Sequence, residues 1–67
     1  MNTFAERLKL LRTEKGLSQS QLAKETGLSQ AAINYWEACE RQPSAQAVIT
    51  LAKYFNVSTD YLLGLED

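Results

Sequence analysis

The chain has 67 residues, with 7 Lys and Arg against 8 Asp and Glu, one Cys and no His. That length holds one domain, burying only about 60% of its unfolded surface, so stability rests on a single dense core. One Cys excludes an internal disulfide and paired zinc ligands; no apolar run nears the roughly 20 residues of a membrane span and no signal-peptide segment opens the chain, which together predict a cytoplasmic protein.

In chain order, Thr3 and Glu6 form a capping box for a first helix over residues 3–15. Its Phe4, Ala5, Leu8 and Leu11 share one face until Gly16 closes it, while Leu10 lies off that stripe. A second box, Ser18 with Gln21, opens a helix over residues 18–26. Gly27 follows where a left-handed backbone ends a helix without steric cost. Leu28 plugs the turn, and Ser29 is the N-cap of a third helix over residues 29–38. Two helices joined by a tight turn pack closely only if the crossing residue is small, as Ala23 is. Ile33 and Trp36, at i, i+3 spacing, point back into the angle between them.

After a loop from Cys39 to Pro43, Ser44 heads a fourth helix over residues 44–55 whose Val48, Ile49, Leu51, Ala52 and Phe55 form a broad apolar stripe. Asn56 closes it in a left-handed conformation. Ser58 then caps a short fifth helix over residues 58–63, carrying Tyr61, Leu62 and Leu63 before Gly64. No strand pattern, repeat or linker interrupts this order. The expected fold class is all-α: a compact five-helix bundle filling residues 1–67 as a single domain, with a helix-turn-helix formed by helices 2 and 3.

Once Ala32, Ile33 and Trp36 are committed to packing, Gln30, Ala31, Asn34 and Tyr35 are left facing outward. In this motif the first turn of the second helix enters the DNA major groove. Gln30 suits adenine, because its amide both accepts from N6 and donates to N7; Ala31 offers a methyl group to thymine. Asn34 can read adenine or grip phosphate, and the Tyr35 hydroxyl reaches sugar-phosphate. Candidates for phosphate contacts or for orienting the readers are Ser18, Gln19 and Ser29 near helix N-termini, then Arg41, Gln42 and Ser44. The other reading of each is an ordinary polar surface residue. Charge is unevenly placed: Arg7, Lys9, Arg12, Lys15, Lys24 and Arg41 precede Ser44, and only Lys53 follows it. That asymmetry either orients the chain on phosphates or reflects solvated helix faces.

The segment QSQLAKETGLSQAAINYWEA, the basic first helix FAERLKLLRTEKG, the Trp36-Glu37 pair, the RQPS at 41–44 and the ending FNVSTDYLLG resemble the Cro/XRE-type, phage-repressor-like helix-turn-helix regulators of bacteria and phages. The resemblance covers essentially the whole chain. It implies a lambda-repressor-like DNA-binding domain in transcription regulation, acting as a repressor, with double-stranded operator DNA and a second copy of itself as partners. A homodimer on a palindrome also answers the poor specificity ratio of one recognition helix. The resemblance further implies that Gln19 hydrogen-bonds Gln30 and a phosphate, that Arg12 and Glu37 form a structural ion pair, and that the last helices carry the dimer contact. Tyr61, Leu63 and Leu65 then either touch the second copy or finish the core. Such domains often pass into a linker after FNVSTDYLLG, so the chain is either a whole regulator or the reading head of a longer one.

Two positions depart from the pattern: Cys39 stands where glycine commonly follows the third helix, and Glu40 where a basic residue is common. A non-glycine residue in a left-handed cap costs roughly 1 to 2 kcal/mol, so the third helix is expected to run on or end differently. The competing function is a protein-interaction module, such as an antitoxin or anti-repressor, favoured by the acidic balance. An enzyme is not expected, for want of His, a Gly-rich phosphate loop or converging acids. No cofactor, metal or small-molecule ligand is expected.

Overall fold

The computed structural model describes residues 3–66. Five helices follow in order: α1 (Thr3–Glu14), α2 (Gln19–Thr26), α3 (Gln30–Glu37), α4 (Ala45–Phe55) and α5 (Thr59–Leu63), with no strand among the described residues. Each contributes one fully enclosed aliphatic side chain to a common core, namely Leu8, Leu22, Ile33, Leu51 and Leu62. Around them pack Phe4, Ala23, Trp36, Ala47, Val48 and Ala52. Phe4 meets Trp36 edge to face at 6.2 Å, locking α1 against α3.

Local chemistry sets the helix boundaries. The Ser18 and Gln21 box forms in both directions: the Gln21 amide donates to Ser18 Oγ at 3.0 Å, and the Ser18 amide donates to Gln21 Oε1 at 2.8 Å. Ser29, Ser44 and Ser58 cap α3, α4 and α5 in the same first half of the motif, each accepting from the backbone amide three residues on. Gly27 takes φ 76° at the end of α2 and its N–H bonds Ala23 O at 2.9 Å, turning the chain into α3.

Thr3 already lies inside α1, so the box expected between Thr3 and Glu6 does not form among the described residues. Thr3 instead packs on Gly64, where a β-carbon would come within 2.7 Å of Thr3 Cγ2. At the end of α3 the expectation is overturned: Cys39 adopts the left-handed conformation itself, at φ 62°. Its N–H bonds Trp36 O at 3.2 Å and the Glu40 N–H bonds Tyr35 O at 2.8 Å, which is the double closure glycine usually supplies. Beyond this reversal, Ala47, Val48 and Leu51 of α4 lie in the core. The stripe of α4 is also narrower than its sequence suggests, with Ile49 left 40% exposed and Phe55 only half-buried.

Candidate nucleic-acid interface

Burial divides α3 cleanly. Ile33 and Trp36 are enclosed and Ala32 is half-buried against the core, which leaves Gln30, Ala31 and Asn34 exposed and Tyr35 half-exposed beside them. With Gln19 from the first turn of α2, Gln30, Ala31 and Asn34 line one shallow depression. Two amides on one helix and a third from its neighbour therefore share a surface rich in both donors and acceptors, the equipment needed to read base edges.

Beneath this surface lies the Arg12 and Glu37 pair, with side chains 12% and 5% exposed. Arg12 donates from Nε to Glu37 Oε2 at 2.7 Å, from Nη2 to Oε1 at 2.9 Å and from Nη1 to Leu17 O at 2.8 Å. The fork thus ties the end of α1 to the end of α3 and to the segment entering α2. Hydrogen bonding to Glu37 raises the Arg12 pKa above its ordinary value, with charge attraction adding to it and burial working against it.

Gln19 joins this pair. Its Nε2 donates to Glu37 Oε1 at 3.1 Å, and the bond expected between Gln19 and Gln30 is not among those the described residues form. The reason is chemical: the carboxylate at the end of α3 is a stronger acceptor than a neutral amide. Because Glu37 only accepts, it is the Gln19 NH2 group that faces it, and the Gln19 carbonyl accepts no hydrogen bond among the described residues. Nothing local in the sequence joins Gln19 to Glu37, 18 positions away on another helix.

The remaining predicted residues separate into groups. Ser18, Ser29 and Ser44 each spend an oxygen lone pair on a cap while keeping the hydroxyl proton to donate. Arg41 stacks on Tyr35 with its guanidinium carbon 4.4 Å from the ring centre. Gln42 is not gathered with the glutamines of α2 and α3; it borders a groove lined by Pro43, Val48, Ile49 and Leu63. Of the residues expected to face a second copy, Leu63 lines that groove and is 44% exposed, whereas Leu65, 72% exposed, is not among its lining residues. Tyr61 is half-buried under the Arg7 guanidinium at 4.3 Å. Ile49 and Pro43 are additional members that were not expected to face a second copy; Ile49 was expected in the inward stripe of the fourth helix.

A family model for helix-turn-helix proteins matches residues 8–62. The chain belongs to the Cro/C1-type helix-turn-helix family. Among its members, an HTH-type transcriptional activator of Enterococcus faecalis, BcrR, is 39% identical over 64 residues, covering 96% of this chain and 31% of the activator. The P22 c2 repressor bound to a synthetic operator superimposes with a TM-score of 0.87 at 32% identity, covering 98% of this chain and all of that one. The restriction-modification controller protein C.AhdI of Aeromonas hydrophila gives a TM-score of 0.81 at 34% identity, over 91% of this chain and 92% of its own. The chain spans between 30% and 57% of the length of the first curated relatives it matches. Among the described residues, no helix is long and apolar enough to cross a membrane.

Proposed function

We propose that this helix-turn-helix domain reads double-stranded DNA and regulates transcription, repressing by occupying a promoter as a homodimer on a palindromic operator in the cytoplasm. The observation that carries the reading is the outward face of α3. Gln30, Ala31 and Asn34 are exposed, and no side chain of the three is spent on an internal hydrogen bond among the described residues. Gln30 reads adenine through its amide, Ala31 meets a thymine methyl and Asn34 contacts the next base or its phosphate. Gln19, held by Glu37, lines the same depression. Ser18, Ser29, Ser44 and Arg41 position the domain on phosphates. In support of the dimer, exposed Ile49 and Leu63 line an apolar groove that a second copy would cover.

Selection from a random duplex pool at about 100 to 150 mM salt tests the reading, since non-specific phosphate binding is weakened at that ionic strength. Enrichment of a palindrome with half-site centres about one helical turn apart is the expected result. Retention of no sequence over another by the folded protein would overturn it and favour the protein-interaction reading, an antitoxin or anti-repressor.

A further inference from the structure

The chain's three arginines spend their donors differently. Arg12 gives Nε, Nη1 and Nη2 to internal acceptors. Arg7 rests on the Tyr61 ring but also donates to Tyr61 O and Glu66 O, both at 2.5 Å, so it straps the last turn of the chain to α1. Arg41 is exposed and lies over Tyr35, and its N–H groups reach no oxygen among the described residues. Nor does it pair with its neighbour Glu40, although that carboxylate is one residue away.

The closure of α3 explains how Arg41 reaches the ring. Cys39 reverses the chain at φ 62°, the Glu40 N–H binds Tyr35 O at 2.8 Å, and the next residue is thereby returned to the flank of α3. A guanidinium is attracted to an aromatic face and is more weakly hydrated than an ammonium, so the stack holds its charge in place while all five N–H groups stay available. The Tyr35 hydroxyl, for its part, makes no hydrogen bond among the described residues, and its ring is half-buried. The ring is thus committed to the arginine.

We propose that Tyr35 is a positioning residue, holding Arg41 ready as a phosphate contact at the edge of the α3 face rather than reading a base or sugar itself. The inference rests on the DNA-reading function proposed above and deepens it. A free arginine loses its rotamer freedom when it grips a phosphate; one already ordered on a ring has lost that freedom before binding.

The test is a double-mutant cycle on affinity for a fluorescent duplex of random sequence, measured across a salt series. Arg41→Ala should reduce the slope of log K against log salt by about 0.9 for each bound copy, one phosphate contact. Tyr35→Leu should weaken binding roughly two- to tenfold, the cost of ordering one long side chain. In the Arg41→Ala background the same Tyr35→Leu change should have no effect, and Tyr35→Phe should bind as the parent does. Circular dichroism confirms the fold of each; if Leu at this position unfolds the chain, Tyr35→Gln repeats the cycle with a good helix former. Additive effects, a loss on Tyr35→Phe, no loss on removing the ring, or an unchanged slope in Arg41→Ala would each overturn the inference while leaving DNA reading intact. Absence of salt-dependent binding by the parent protein would instead defeat the DNA reading itself.

Discussion

The outward face of α3 and the groove between α4 and α5 are both open to solvent, yet opposite in chemistry. Around α3 the exposed amides of Gln30 and Asn34 make no internal hydrogen bond among the described residues, and they sit beside a part-buried ion pair. In the groove they are aliphatic, with Ile49 and Leu63 set about Pro43 and Val48. Unspent hydrogen-bonding groups are satisfied by a polar ligand or by water, whereas uncovered aliphatic groups gain only from an apolar partner. In the proposed function, the first surface reads and the second joins.

The most damaging way to break the contrast is to remove the support under the polar face. Glu37→Ala leaves the part-buried Arg12 guanidinium without its carboxylate and frees Gln19, and should cost about 3 kcal/mol of stability in urea unfolding, the lower end for a pair that is not fully buried. Next comes the groove. Ile49→Asp combined with Leu63→Asp should leave the helical content intact but make the protein monomeric by sedimentation and weaken binding to a selected palindrome about 100-fold, the loss of one tethered half. Unchanged mass and affinity would place the dimer contact elsewhere. Gln30→Ala sharpens the comparison from the polar side: discrimination at one base pair per half-site should relax by about 1 to 3 kcal/mol with the thermal midpoint unchanged, read by competition among single-base operator variants. The smallest effect is expected at the end of α3, where Cys39→Gly relieves the left-handed strain and should raise stability by about 1 kcal/mol, net of the entropy a glycine loses on folding.

The five helices were legible in the sequence because serine caps and glycine or asparagine closures are local events, decided by residues three or four positions apart. Ser18 with Gln21, Gly27, and Asn56 at φ 57° all behave as their chemistry dictates. The Arg12 and Glu37 pair was legible only through resemblance, since nothing local joins residues 25 positions apart. What sequence reasoning missed depends on tertiary demand. Cys39 accepts a conformation it disfavours at the reversal that precedes α4, Gln19 turns to a carboxylate from another helix, and Ile49 is left outside because the core is already filled by Val48 and Leu51. The depression on α3 could be anticipated by subtracting the packed residues of one helix; the groove could not, because it depends on how α5 meets α4.

The five enclosed side chains come one from each helix and meet in a single core. No helix therefore owns a part of the core that could persist without the others, and detaching any one of them exposes the contact surface of the rest. A domain of this size has no partly folded reserve to fall back on: it is assembled in one step or not at all, and the surface of α3 exists only while the whole bundle does.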